Sequence, residues 1–509
     1  MSDIANVFTW AFSYISDPYC MAMCFVGTFM GLVFGTLPGL TATMGIALLI
    51  PLSYTMDPVL ALGMMIGCYV GGIAGGAVSS ILLNIPGTPS AIVTAFDGYP
   101  MMLKDRGAEA MGWAAFSSGF GGMFGWVVLA FFSPYLARLC TNFSCVEYAS
   151  LAFLGLMLIS SVTGDNLAKG IVSAMLGIFL SMVGIDLEWG DLRFTFGSYN
   201  LMGGINLLPV MVGIYSVPQI LKICNEVDTV KTIKVKFSNF IPKLKDIWAA
   251  KICLLRTSLI GTIIGIIPAT GANIACFLSY DLTKRFSKDP DSFGKGNHLG
   301  VISSEAANNA VCGGAMVPLL TLGIPGDGVT AILLGGLMIH DIQPGPQLYT
   351  SNYNLIIGIF TCMLVCTLMM VAIQMIGIKF FIRILSVPNN FLVTGITVMA
   401  VIGSFALRNN TFDIWICLVL GTFGYLMGRA QFPIAPAVLG LVLGSMFEKE
   451  TRTALTLSHY DWLVFLKRPV PCILIIVAVS FAAWTVISNL KKKRKRMAEQ
   501  KEPVMNTAE

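Results

Sequence analysis

Two stretches decide how this chain is read: Leu83-Asn84-Ile85-Pro86-Gly87 and, 239 residues later, Leu322-Gly323-Ile324-Pro325-Gly326. Each lies inside a long apolar run. Proline removes a helical hydrogen bond and glycine frees the backbone beside it, so the pair breaks the helix. Inside a bilayer the freed N–H and C=O groups cannot face lipid and must line a polar interior. Further matches keep the same order. Gly35-Thr36-Leu37-Pro38-Gly39-Leu40-Thr41 pairs with Gly265-Ile266-Ile267-Pro268-Ala269-Thr270-Gly271 at offset 230, and Gly75-Gly76-Ala77 with Gly313-Gly314-Ala315 at offset 238. One Gly-Pro match means little in a chain with 52 glycines. Three in register mark an internal repeat. Gly/Pro-broken apolar segments at corresponding places in two halves are the mark of secondary transporters, whose sites form where those segments meet near mid-membrane.

Composition agrees. Of 509 residues, 56% are hydrophobic and 12% charged, against about 25% charged in an ordinary soluble domain. The charges gather in 222–251, 281–297 and 491–502, and apolar runs recur from end to end. A spanning helix needs about 20 such residues. A soluble enzyme, a disordered chain and a nucleic-acid binder are excluded. The fold class is all-α: a polytopic integral membrane protein with about 12 transmembrane elements. They form two repeats, read as inverted, with Pro/Gly-broken re-entrant hairpins.

Charge placement suggests the organisation. Residues 1–221 form a first transmembrane half with repeat motifs at 31–100. Residues 252–490 form a second half with motifs at 261–346. Between them, 222–251 carries seven lysines, and 491–509 begins Lys491-Lys492-Lys493-Arg494-Lys495-Arg496. The positive-inside rule places both the loop and the tail in the cytoplasm. No Lys, Arg or His precedes Lys104, which argues against a cleaved signal peptide. It also fits an outward-facing first copy, as inversion requires. Ile252–Tyr280 lies between two basic loops. It reads as a re-entrant pair of half-helices with its tip at Pro268–Asn273, or else as one kinked crossing; the re-entrant form is preferred.

The broken segments suggest chemistry. Helix N-termini suit a carboxylate, and freed carbonyls with Asn, Thr and Ser oxygens suit a sodium ion. Asn84, Pro86, Gly87 and Thr88 in the first break, with Pro325 and Gly326 in the second, are candidate substrate-binding positions. The alternative is a kink that only shapes helix packing. Asn308 and Asn309 either join the substrate site or make structural hydrogen bonds. Thr41 and Asn273, at comparable tips, are candidate cation-coupling residues. Glu305 reads as interfacial structure and Asp97 as part of a surface turn. Arg193, Arg408, Arg429 and Arg452 read as boundary residues that snorkel.

The thirteen cysteines include no C-x-x-C and read as small packing residues. The three histidines are too scattered for a zinc site. There is no P-loop and no constellation of nucleophile, base and orienter, so the chain does not read as an enzyme. No cofactor or metal is expected beyond Na+ or H+ as coupling ion.

Several motifs together carry a family resemblance: Gly35–Thr41, Gly71–Ala77, Leu83–Pro89, Phe96-Asp97-Gly98-Tyr99-Pro100, Glu305–Asn309, Pro318–Gly326, Gln343-Pro344-Gly345-Pro346, Arg193–Gly197 and the closing Glu450, Arg452, Arg468-Pro469. The chain resembles the TctA-like large membrane subunit of the tripartite tricarboxylate transporter family over nearly its whole length. The resemblance implies a bacterial inner-membrane location. It implies as partners a small membrane subunit of the same transporter and a periplasmic solute-binding protein. It implies import of carboxylates such as citrate, driven by a sodium or proton gradient. It also places Pro86, Gly87, Pro325 and Gly326 at hairpin tips around the substrate. Asp327-Gly328 stands where the first copy has Thr88-Pro89. An acid there repels a carboxylate unless a cation or proton neutralises it, which makes Asp327 a candidate coupling residue. The competing readings are a permease driven by a separate ATPase, a transporter of another small organic anion, a membrane enzyme and a passive channel.

Overall fold

The computed structural model describes residues 2–162, 167–186, 189–224, 241–268, 271–385, 387, 389–406, 408–480 and 482–483. Most of the basic loop (225–240), the tail (491–509) and Thr270 lie outside the described residues. Seven helices among those described are long and apolar enough to cross a membrane: Pro18–Thr36, Pro58–Leu83, Gly107–Cys140, Leu207–Cys224, Leu244–Ile266, Tyr353–Ile376 and Thr411–Arg429. Shorter apolar helices lie between them, so the chain is an all-α, polytopic membrane protein.

Contacts divide the chain into two compact units, residues 1–141 with 206–426, and residues 142–205 with 427–509. In the first unit, helix starts follow local chemistry. Asp17 and Asp57 each precede a proline and cap the next helix, accepting from Tyr19 N and Val59 N at 3.0 Å. A carboxylate at the cap and proline in the first turn are the favoured combination, because the first N–H groups lack helical partners. Asn297 caps His298–Leu322 in the same way, accepting from Leu299 N.

Five helices of the first half correspond in order to five of the second. Pro18–Thr36, Ala42–Ser53, Pro58–Leu83, Ile92–Leu103 and Gly107–Cys140 match Leu244–Ile266, Gly271–Arg285, His298–Leu322, Gly328–Ile339 and Tyr353–Ile376. The packing repeats as well. A Cβ on Gly31 would run into the Cys68 carbonyl and one on Gly35 into that of Gly72. In the second half a Cβ on Gly261 would meet the Ala307 carbonyl and one on Gly265 that of Val311. Small residues let the two backbones of each pair touch. These contacts correct one sequence match. Gly75 abuts Gly35, and Gly314 abuts Gly265, so Gly75 corresponds to Gly314, not Gly313, and the register from 68 to 87 is 239 throughout. A run of consecutive glycines had hidden the one-residue slip.

The long helices also exchange partners. Gly121 and Gly125 of Gly107–Cys140 lie against the Ala306 and Ala310 carbonyls of His298–Leu322. Gly63 of Pro58–Leu83 lies against Cys362 of Tyr353–Ile376. Each half thus packs its long central helix on the last helix of the other half.

The breaks fall where proline and glycine place them. The sequence run 20–50 is two helices parted at 37–41, and 306–340 is two parted at 323–327. Ile252–Tyr280 is parted at its expected tip, but its limbs are not equal half-helices. Leu244–Ile266 begins within the basic loop and has 23 residues, about 35 Å at 1.5 Å per residue. The returning limb, Gly271–Arg285, has 15 residues.

In the second unit, Gly177 and Gly440 knit Leu167–Ser181 to Ile434–Leu457. Each glycine faces a carbonyl of the other helix, Ala437 O and Ala174 O respectively. A two-residue antiparallel ladder, Gly184–Ile185 with Leu192–Arg193, follows the first of these helices. Here Arg193 and Arg452 have carboxylate partners. They join Asp186 and Glu448 in one ion network, with Arg193–Glu448 at 2.5 Å and Arg452–Asp186 at 2.9 Å. In the first unit Arg408 pairs with the wholly buried Asp413 at 2.5 Å.

Candidate functional site

The two breaks of each half meet. Asn84 ends Pro58–Leu83 in the left-handed conformation, at φ 56°. Gly323 ends His298–Leu322 in the same conformation, at φ 70°, and donates to Leu319 O at 3.0 Å. Such a residue is the common helix stop and turns the chain sharply. Ile-Pro-Gly follows both. A Cβ on Gly87 would strike the Gly35 carbonyl and come within 3.0 Å of Gly76 Cα. One on Gly326 would come within 2.7 Å of Gly265 O and 2.6 Å of Ala315 Cα. Each Pro-Gly turn therefore seats on the end of the half's other broken helix, just before Leu37 or Ile267.

The side chains differ between the two junctions. Asn84 is exposed, Pro86 is half-buried, and Thr88 is buried with its hydroxyl 3.3 Å from that of Ser90. Thr88 makes no cap hydrogen bond. In the second junction Pro325, Gly326 and Asp327 are all buried. Asp327 caps Gly328–Ile339 with a full capping box. Its Oδ1 accepts from Val329 N, Thr330 N and the Thr330 hydroxyl at 2.7–3.1 Å. Its Oδ2 accepts from the Tyr69 hydroxyl at 2.7 Å. Tyr69 belongs to the first half, so the second break is tied to the other repeat's central helix.

A reciprocal tie uses Glu305, which is wholly buried within the protein. Thr94, on the helix after the first break, donates to Oε1 at 2.5 Å, and Ser118 donates to Oε2 at 3.0 Å. Asp97 departs furthest from expectation. It is wholly buried within Ile92–Leu103, not in a surface turn. Its Oδ1 accepts from the backbone N–H groups of Gly294, Gly296 and Asn297 at 2.8–2.9 Å, and Oδ2 from the Tyr280 hydroxyl at 2.8 Å. A carboxylate that collects three backbone donors fixes the loop leading into His298–Leu322, since charge-assisted bonds are the strong ones.

Asn308 and Asn309 sit in the interior of His298–Leu322 with no exposed surface. Asn309 donates to Glu305 O at 3.1 Å, while its Oδ1 has no partner. Among the described residues, neither Nδ2 nor Oδ1 of Asn308 has a hydrogen-bond partner. Each such buried group costs about 1–3 kcal/mol, and no described residue offsets that cost for the Asn308 amide. Thr41 is half-buried and caps Ala42–Ser53, accepting from Met44 N at 3.3 Å. Asn273, in the first turn of Gly271–Arg285, is exposed. The structure thus joins Asp327 to Tyr69 and Asn309 to Glu305, and gives Thr41 a capping bond. Sequence reasoning missed Tyr69, Thr94, Ser118 and the buried role of Asp97; no local pattern distinguishes these residues.

A duplicated, twice-broken helix hairpin, cross-tied by buried polar side chains within a polytopic bundle, defines a membrane transporter component. A family model described as the tripartite tricarboxylate transporter TctA family matches residues 21–439, and the chain belongs to that family. It is accordingly a membrane component of a transporter that includes other subunits. A protein of Agrobacterium vitis, described as an uncharacterized 52.8 kDa protein in the TAR-I ttuC' 3' region, is 34% identical over 498 residues, covering 98% of this chain and 99% of that protein. A second A. vitis protein, from the TAR-II ttuC' 3' region, is 34% identical over 234 residues, covering 46% of this chain and 97% of its own length. No solved structure matches the chain.

Proposed function

We propose that this chain is the permease subunit of a secondary active, binding-protein-dependent importer of citrate-like carboxylates, coupled to a Na+ or H+ gradient. Its setting is the bacterial inner membrane, with the C-terminal tail in the cytoplasm. Its partners are the transporter's small membrane subunit and a periplasmic solute-binding protein. It moves solute and catalyses no bond chemistry.

The observation that carries this is the pair of junctions, each bringing two helix breaks together, supported by the unpartnered amide of Asn308. Broken helices supply N–H donors for a carboxylate and carbonyls for a cation. Asn84, Pro86, Gly87, Thr88, Pro325, Gly326, Asn308 and Asn309 form the substrate side in this reading; Thr41, Asn273 and Asp327 form the cation side. A proton or sodium ion at Asp327 Oδ2 competes with the Tyr69 hydroxyl there. That links the coupling ion to the first half's central helix.

The test is uptake of labelled citrate, and of a panel of other carboxylates, into proteoliposomes holding this chain and the small membrane subunit. The binding protein is supplied outside, with a sodium gradient, a proton gradient or neither. Uptake with one gradient and without ATP is expected. Uptake that needs ATP, or no uptake of any carboxylate, overturns the proposal.

A further inference from the structure

Four cysteines from widely separated parts of the chain meet inside the first unit. Cys20 and Cys24 lie one turn apart on Pro18–Thr36, and Cys362 and Cys366 one turn apart on Tyr353–Ile376. All four are buried and belong to one core cluster with Val59 and Val365. The sulfurs of Cys20 and Cys362 are 3.8 Å apart, and those of Cys20, Cys24 and Cys362 all lie within 4.8 Å of one another. Cys366 stands beside them, with its sulfur 3.5 Å from the Gly63 carbonyl oxygen.

Three features separate this cluster from ordinary packing. Side chains four apart on a helix share a face, and here two such faces are turned toward each other, so the sulfurs converge. A third helix leaves room for them at Gly63, where a Cβ would lie 3.0 Å from Cys24 Sγ and 3.1 Å from Cys362 Sγ. The spacing also suits coordination. Sulfurs about 2.3 Å from a tetrahedral zinc ion stand about 3.8 Å from each other, whereas a disulfide needs about 2.0 Å. An all-sulfur donor set selects thiophilic ions over Mg2+ or Ca2+.

We infer that Cys20, Cys24 and Cys362, with Cys366 alongside, form a binding site for a thiophilic d10 cation, Zn2+ or Cu+. The thiols release their protons on binding. The ion clamps a helix of the first half to a helix of the second, and one of these, Pro18–Thr36, runs directly into the first helix break. The site is independent of the carboxylate chemistry proposed above, and its test needs no transport.

The full chain, purified in detergent with reduced thiols, is titrated anaerobically with Co2+ as a coloured stand-in for Zn2+, and separately with Cu+. One Co2+ per chain is expected, with thiolate-to-metal charge-transfer bands that Zn2+ abolishes, and with a rise in Tm. Cys20→Ser and Cys362→Ser should each remove the bands and the Tm rise. Cys224→Ser and Cys472→Ser should leave both unchanged. X-ray absorption of the zinc-loaded wild-type chain gives a reading that needs no substitution: a shell of sulfur at about 2.3 Å. A shell of nitrogen and oxygen overturns the inference. So do the absence of charge-transfer bands with both ions, bands that survive both Ser substitutions, and recovery of Cys20 and Cys362 as a disulfide-linked pair from protein isolated without reductant.

Discussion

The junction at Asn84–Thr88 and the junction at Gly323–Asp327 share a backbone and differ in chemistry. Both begin with a left-handed cap, continue as Ile-Pro-Gly, and seat that glycine on the end of another broken helix. The first then offers an exposed amide and a hydroxyl that caps nothing. The second buries a carboxylate held by four donors, one of them from the other half. Duplication preserved what the backbone geometry requires and left the side chains free to diverge. In the proposed function these diverged side chains take two tasks, holding an anion and sensing a cation, at the same structural position of two copies.

If the backbones are equivalent, damage to them should be equivalent, and this gives the largest expected effect. Gly87→Val and Gly326→Val each drive side-chain atoms into a neighbouring backbone, costing about 3 kcal/mol, read as a fall in Tm of the purified chain. A large loss for one and none for the other would break the equivalence.

Asp97 sharpens the comparison from the other side, because Leu333 stands at the corresponding position of the matching helix, Gly328–Ile339. Among the described residues the carboxylate clamp on this loop is therefore found in the first half's helix and not in its counterpart. Asp97→Asn keeps the shape and removes the charge, so a loss of about 2 kcal/mol is expected, in the range for hydrogen bonds to charged groups. Unchanged thermal unfolding would show that the clamp holds nothing.

The caps come next. Asp327→Ala removes a capping box and strands the Tyr69 hydroxyl, for about 1–2 kcal/mol, while Thr88→Ala removes no cap bond and should stay within about 0.5 kcal/mol. Equal costs, measured by the same melts, would erase the chemical difference between the junctions. The smallest effect concerns the left-handed caps themselves. Gly323→Ala should cost about 1 kcal/mol, and Asn84→Gly should be neutral within about 0.5 kcal/mol. A reversed order would mean that the side chain of Asn84 does structural work its exposure does not suggest.

Much of this plan is legible in the sequence because proline and glycine act locally. The breaks after Thr36, Leu83, Ile266 and Leu322 follow from residues within each segment. What the sequence hides is what depends on distant partners. Asp97 looks like a turn residue beside glycine and proline until the N–H groups of 294–297 surround it. Glu305 looks interfacial because Thr94 and Ser118, which satisfy it, lie about two hundred positions away. Cys20 and Cys362 are 342 positions apart, and no spacing rule joins them. The carboxylate partners of Arg193 and Arg452 are hidden for the same reason: Asp186 and Glu448 reach them only through the fold. Of the site residues, Asn308 and Asn309 were identifiable as costly polar groups in an apolar run, but the absence of a partner for the Asn308 amide is a structural fact.

That amide gives the most direct test of the central claim, that the junctions and the helix beside them form a transport site. Asn308→Leu removes two unpartnered buried polar atoms with little change in volume. A residue kept for stability should not improve on removal, whereas an unpaired amide should. The measurement is gradient-driven citrate uptake by this variant in proteoliposomes, with Tm recorded on the same preparation. We expect a Tm equal to or above that of the parent chain and uptake reduced to background. Uptake at the parent rate by the folded variant would contradict the assignment.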